Sequence, residues 1–285
     1  MLKRLQSLPW FVRWPLKWCI VGVTLFAVSF PNPLLFVRHV QHWRDPNAMI
    51  DPAHPDLQPW VEALNARIDP DMPPRKALQT VQKFVMEKVP YEWDWNTWGS
   101  ADYLPTLPEV LEMGREDCDG RAVVAASLLR NLGFQAELVT DFAHVWVKTD
   151  KGETMSPGKR KSIEAGEQGV RVHWTLISET LPQALAYSVS PFPLVRELIL
   201  LVVVWLVLLA PGVGWRARVL GLVLMLEGLL FLRVAGVNWN RPVVWAQWWG
   251  GLHIAAGAGM LAAAGYRAMR RGRRPLERPS IPAPG

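Results

Sequence analysis

The sequence predicts an α+β domain held outside a membrane and joined to four α-helical transmembrane spans, one before it and three after. Three observations predict this. Four apolar runs, about 18–37, 194–209, 219–237 and 243–264, carry basic residues at their flanks. Residues 38–193 between the first two hold 16 Lys and Arg against 22 Asp and Glu, a balance of −6, whereas the rest of the chain holds 15 against 3, or +12. The basic excess therefore flanks apolar segments and forms no patch in the polar domain, which argues against a nucleic-acid partner. Finally, helical spacing at Ala122, Ala125, Ala126, Leu129 and Leu132 gives way to two-residue alternation over Ala143–Thr149, a helix followed by a strand.

Taken in order, residues 1–17 carry Lys3, Arg4, Arg13 and Lys17 and read as a cytoplasmic N-terminus. Residues 18–37 read as a transmembrane anchor. The run is long for a signal peptide and no small-x-small cleavage site follows it closely, so the reading is a retained anchor. Pro31-Asn32-Pro33 near its far end predicts a kink or a stop. Residues 38–193 are the extracytoplasmic domain. It starts with a Pro-punctuated linker to about Pro59, in which His39, His42 and His54 lack metal-ligand spacing and are expected in solvent.

Trp60–Ile68 predicts a short helix, and Pro73-Pro74 opens a clearer one with Ala77, Leu78, Val81, Phe84 and Val85 on one face. Tyr91–Trp98 is an aromatic run that reads equally as cleft wall or core packing. Met155–Gly169, rich in Lys, Gly, Ser and Glu, predicts a mobile loop, and Val170–Ile177 a further strand on which His173 reads as a packed or surface histidine and not a catalytic one. Ser178–Pro193 returns the chain to the membrane.

Residues 194–265 form the expected three-helix transmembrane region. Arg216 and Arg218 in its first loop and Arg267, Arg270, Arg271, Arg273 and Arg274 after it place both termini in the cytoplasm of a multi-pass inner-membrane protein, against which Arg233 and Arg241 count. Trp239, Trp245, Trp248 and Trp249 suit an interfacial belt. Gly251, Ala255, Gly259 and Ala263 recur every four residues and offer a small-residue face to a membrane-protein partner. Glu227 falls mid-span, where a carboxyl group is expensive, so an inward-facing site with His253 as partner is expected. Residues 266–285 read as a basic, disordered tail.

The chemistry concentrates at Gly114-Arg-Glu-Asp117-Cys118-Asp119-Gly-Arg121. Gly133 falls where a left-handed helix cap is needed, which puts Cys118 at the start of the helix it ends. Free amide N–H groups there favour a thiolate. His144, Trp146 and Lys148 share one face of the following strand, and a cysteine with a nearby histidine makes an activated nucleophile. Cys19 lies in an apolar run, so it is not expected to bridge to Cys118.

Trp98-Gly-Ser-Ala-Asp102-Tyr-Leu-Pro-Thr-Leu-Pro-Glu109-Val-Leu, then Asp117-Cys118-Asp119, then His144-Val-Trp-Val, resembles the transglutaminase-like superfamily over about residues 72–157. The nearest look is to its bacterial periplasmic cysteine proteinase branch. The resemblance implies a papain-like cysteine hydrolase fold and a Cys-His-Asp catalytic set on Cys118 and His144, acting on peptide or protein substrates. Where the family has its aspartate, this chain has Ser156; Asp150 falls on a predicted hairpin turn and Asp141 lies close to His144 along the chain. The resemblance also implies Ca²⁺ at Asp117 and Asp119, with Asp102 nearby, although Asp117 as a helix cap explains its position equally. No other cofactor is implied. Water as acceptor makes a peptidase or amidase, an amine makes a transglutaminase, and a retired catalytic centre makes a peptide- or wall-binding module.

Overall fold

The computed structural model describes residues 9–141, 144–156, 162–166, 169–237 and 243–272. It falls into two compact units, residues 26–193 and residues 1–25 with 194–285. Helix α1 (Trp10–Ser29) stops short of Pro31, and Asn32 caps α2 (Pro33–Arg44), its side chain accepting from Leu34 N at 3.1 Å. Residues 38–44 are thus helical and not the expected linker. The expectation of solvated histidines fails with it. His39 Nδ1 accepts from Leu104 N at 3.2 Å, and His42 Nδ1 lies 2.6 Å from Leu104 O. Two residues three apart on one helix face reach the same backbone unit, a register that linear reading of a Pro-rich stretch does not show.

Helix α3 (Gln58–Asn65) and α4 (Pro74–Lys88) follow, and all five apolar positions expected on the face of α4 are buried. A single turn, α5 (Asp94–Thr97), leads to α6 (Leu107–Met113), whose start is a capping box of Thr106 and Glu109. Helix α7 (Cys118–Asn131) is the central element. Its residues Ala122–Leu129 are all buried, and Gly133 at φ 87° lets the chain leave it. Burying each Leu or Val here contributes about 1.5–3 kcal/mol.

Strands β1 (Ala136–Thr140), β2 (Val145–Thr149), β3 (Gly152–Thr154), β4 (Ile163–Gly166) and β5 (Gly169–Val172) form one antiparallel sheet in the order β3-β2-β1-β4-β5. Both faces of β2 are buried apart from Lys148, so its alternation is weaker than the sequence suggested. β4 occupies part of the stretch read as a loop, paired with β5 through Gly166 opposite Gly169; residues 157–161 and 167–168 of that loop lie outside the described residues. The strand expected over 170–177 ends at Val172, and Trp174 starts α8 (Trp174–Val189). Leu176 N bonds His173 O at 2.9 Å, so helical hydrogen bonding takes over where alternation was read.

In the other unit, α9 (Leu194–Leu208), α10 (Trp215–Ala235) and α11 (Val244–Gly272) follow. The expectation of four spans is not met. Among the described residues one helix, Phe11–Ser29, is long and apolar enough to cross a membrane, and a second qualifies only if Thr180–Val189 and Leu194–Leu208 count as one broken span. α9 has 15 residues, while Arg216, Arg218, Glu227 and Arg233 interrupt α10. α11 reaches Gly272, so the expected tail is helical that far, and 273–285 lie outside the described residues, as do Lys3, Arg4, Trp239 and Arg241.

α10 and α11 meet through glycines, though not the expected ones. A Cβ on Gly228 would lie 2.7 Å from Gly250 O, and one on Gly257 2.7 Å from Gly221 O. Gly251 and Gly259 face open space, and Ala255 and Ala263 are exposed with them. Glu227 is also exposed rather than inward-facing, 3.9 Å from His253 Nε2. The buried ion pair of this unit joins Glu197 on α9 to Arg233 on α10.

Candidate active site

The segment leaving α4 determines where α7 begins. Tyr91 bridges Glu116 in parallel, Glu116 N donates to Pro90 O at 3.1 Å, and Glu92 N donates to Glu116 O at 3.2 Å. Arg121 Nε then donates to Val89 O at 2.9 Å and lies over the Tyr91 ring. Asp117 caps α7, its Oδ1 accepting from Asp119 N at 3.3 Å, which leaves Cys118 as the first helical residue. Cys118 is half-buried, and the backbone N–H of Val145, the first residue of β2, favours its thiolate form.

His144 stands in the β1–β2 connection, directly before the first residue of β2. Asp141 closes it: its N–H donates to His144 O at 3.0 Å and its Oδ1 accepts from His144 N at 2.9 Å. Asp141 is therefore bound to the main chain of His144. On the ring, Nε2 lies 2.7 Å from Met155 O. The atom at the place expected for the family's acid is thus a main-chain carbonyl, one residue before Ser156. Asp150 is far from this geometry, with its Oδ1 on Gln135 N at 3.4 Å and its Oδ2 beside Lys151.

Beside the thiol stands a set of acids that the sequence reading only half found. Asp94, Glu116, Asp117 and Asp119 are all buried, and one oxygen from each lies within 4.8 Å of the others. Tyr103 N donates to Asp94 Oδ2 at 2.6 Å, and Glu116 accepts from Trp98 Nε1 and, at 2.9 Å, from Asp117 N. Asp94 Oδ1 and Asp119 Oδ2 are buried with no protein partner. Burial, and then the charge of Asp117, pushes Glu116 up to about 8 and Asp119 well above the carboxylate range; burial likewise raises Asp94. Asp102 is not one of these four, its Oδ2 lying 3.7 Å from His39 Nε2, but it is nearby as expected: burial, and then Asp117, raises it to about 7, and it acts in turn on Asp94 and Cys118.

These carboxylates reverse the expected electrostatics of the thiol. Burial first, and then Asp117, pushes Cys118 well above the usual thiol range, against the Val145 N–H that lowers it. A helix start contributes about 0.3–1 kcal/mol toward an anion, whereas burial among like charges shifts a group by several pK units. The donor set fits a hard divalent cation such as Ca²⁺: it is all oxygen, it is anionic, and two of its buried oxygens lack partners.

The aromatic run takes both roles offered for it. Trp98 packs inward on Tyr103 at 4.7 Å, whereas Trp93 stacks on Trp95 at 4.9 Å and meets Tyr187 of α8 at 5.4 Å. Burial raises the hydroxyls of Tyr91 and Tyr187, and Cys118 adds to the shift of both, which is the support for a wall beside the thiol. Asp94 and Glu116 were missed because one sits inside a Trp-rich run and the other beside a more conspicuous Asp-Cys-Asp. An acid set between two tryptophans, Trp93-Asp94-Trp95, was the available signal.

The family model of the transglutaminase-like superfamily matches residues 62–161, which span α3 to just beyond Ser156 and include Cys118 and His144. No curated protein and no solved structure matches the chain.

Proposed function

We propose that the chain is a membrane-anchored thiol enzyme that acts on amide bonds of peptides or proteins outside the membrane, by Cys-His acyl transfer ending in hydrolysis. The observation that carries this is the junction of α7 and β2: the backbone N–H of Val145 acts on the thiol of Cys118, and the residue just before Val145 is His144, with Nε2 already engaged by Met155 O. His144 Nδ1 takes the Sγ proton as sulfur bonds to the amide carbonyl carbon. Cys118 N–H is placed to stabilise the resulting oxyanion. The imidazolium returns its proton to the departing amine, the C–N bond breaks and a thioester remains. Water, deprotonated by the same imidazole, cleaves the thioester and frees the acid and the thiol. An amine in place of water gives transamidation.

Asp117 and Asp119, joined by Asp94 and Glu116, would hold a calcium-class cation, which when bound cancels carboxylate charge beside the thiol. Helix α1 would be the anchor in the lipid bilayer, with Arg13 and Lys17 in its first turns toward the cytoplasmic end and the domain on the periplasmic or extracellular side of an inner membrane. The exposed Gly251, Ala255, Gly259 and Ala263 would take a membrane-protein partner.

A second reading is an inactive transglutaminase-like binding or scaffold module. The raised thiol and the uncharged partner of His144 favour it. Intact-mass kinetics of iodoacetamide labelling separate the two in the detergent-solubilised Cys19→Ser chain. The enzyme reading expects Cys118 to be labelled at least about tenfold faster than in His144→Ala. Equal rates would leave the binding module.

A further inference from the structure

We infer that Gln82, on helix α4 and 62 positions before His144, sets the tautomer of the catalytic imidazole. This rests on the acyl-transfer reading for its consequence, though not for its geometry. The Gln82 Oε1 atom accepts two bonds from the end of β3, from Thr154 Oγ1 at 3.2 Å and from Met155 N at 3.3 Å. Thr154 Oγ1 also reaches Leu78 O, one turn earlier on α4, at 3.3 Å.

Clamped there, the chain turns through Met155 at φ 59°, the one positive φ among the described non-glycine residues. A side chain in that region is strained by about 1–2 kcal/mol and persists only where its surroundings enforce it. Here the turn has a chemical result: it aims Met155 O at His144 Nε2, 2.7 Å away. A carbonyl only accepts, so Nε2 carries the hydrogen. The lone pair is then on Nδ1, the atom that takes the proton from Cys118. Gln82 acts on His144 through main chain alone, as a positioning residue. The device supplies orientation without the charge that a carboxylate partner would add.

The test is long-range ¹H–¹⁵N correlation of His144 in the full detergent-solubilised chain, with its Cys118 iodoacetamide rate read in parallel. The wild type is expected to show Nε2–H alone. Gln82→Met, of equal length and with only a weakly accepting sulfur, should populate both tautomers and slow alkylation about tenfold, while Gln82→Glu, which keeps an acceptor oxygen, should retain the wild-type values of both. Met155→Gly should keep the tautomer, because glycine adopts the same φ without strain. An unchanged tautomer in Gln82→Met overturns the inference. Should that variant fail to fold, Thr154→Val, which removes one of the two bonds, must still shift the tautomer, and an unmoved one overturns the inference too. A tautomer that shifts in a chain whose Cys118 is inert would uphold the role of Gln82 and discard the acyl-transfer reading.

Discussion

Gly120 packs against Glu116 so closely that a Cβ at position 120 would stand 2.3 Å from Glu116 Cγ. Glu116 is fully buried, and its carboxylate takes the hydrogen bonds of Trp98 Nε1 and Asp117 N, so the side chain has no free end to yield. The glycine is what lets the first turn of α7 close over the acidic group. Gly120→Ala is expected to lower the unfolding free energy by about 2–3 kcal/mol, read as a shift in urea midpoint at constant slope. A midpoint equal to wild type would mean that the turn relaxes freely.

His39 predicts an acid limb of stability. Burial, then the charge of His42, holds its imidazole down at about 4 instead of 6.5. The unfolded chain therefore binds a proton near pH 6 that the folded chain refuses until about pH 4. Stability is whole above pH 6.5 and is lost as pH falls toward 4. Allowing for the remaining solvent screening, the loss is about 1–2 kcal/mol. His39→Asn, whose Oδ1 can accept from Leu104 N as Nδ1 does, should flatten the difference between urea midpoints at pH 7 and pH 4.5. An unchanged difference would place the acid limb elsewhere.

Asp94 predicts opposite effects with and without a cation. Its Oδ2 accepts Tyr103 N, a bond that asparagine keeps, while its Oδ1 has no partner among three other carboxylates. In chelator, Asp94→Asn should raise stability by about 1–2 kcal/mol, because the amide replaces a carboxyl that must take up a proton to be buried there. Terbium luminescence sensitised by Trp98, whose Nε1 bonds Glu116, should rise on titration and be displaced by Ca²⁺ in the wild type, but not in the variant. If the wild type gives no calcium-sensitive signal, the cluster is held by protons.

Arg233 should be far more costly to lose than Glu227. Glu197 is buried in the pair it forms with Arg233, whereas Glu227 is half exposed beside His253. Arg233→Met strands a buried carboxylate and is expected to cost about 3–5 kcal/mol, seen as a lower melting temperature in detergent. The double variant Glu197→Gln with Arg233→Met should recover most of that. Melting at the wild-type temperature in the single variant would refute the pairing.

The sequence by itself determined what depends on neighbours along the chain. Asp117 capping a helix that starts at Cys118, the apolar face of α4 and the left-handed exit at Gly133 are local, since capping and periodicity act over three or four residues. The apolar helix near the N-terminus was legible for the same reason, while the span count was overread because α9 and α10 are apolar in composition but too short or too interrupted in charge.

Only the tertiary structure decided the electrostatics and the orientation of the site. It brought Asp94 from α5 and Glu116 from the α6–α7 connection beside Asp117 and Asp119, and it buried the thiol, which more than the charge of Asp117 turned a helix start that should favour a thiolate into a site that opposes one. It likewise put Met155 O, held by Gln82, against His144 where the sequence offered only Ser156. Both outcomes follow from groups distant in sequence meeting in a buried, weakly screened place, where charge and hydrogen-bond direction outweigh local preference.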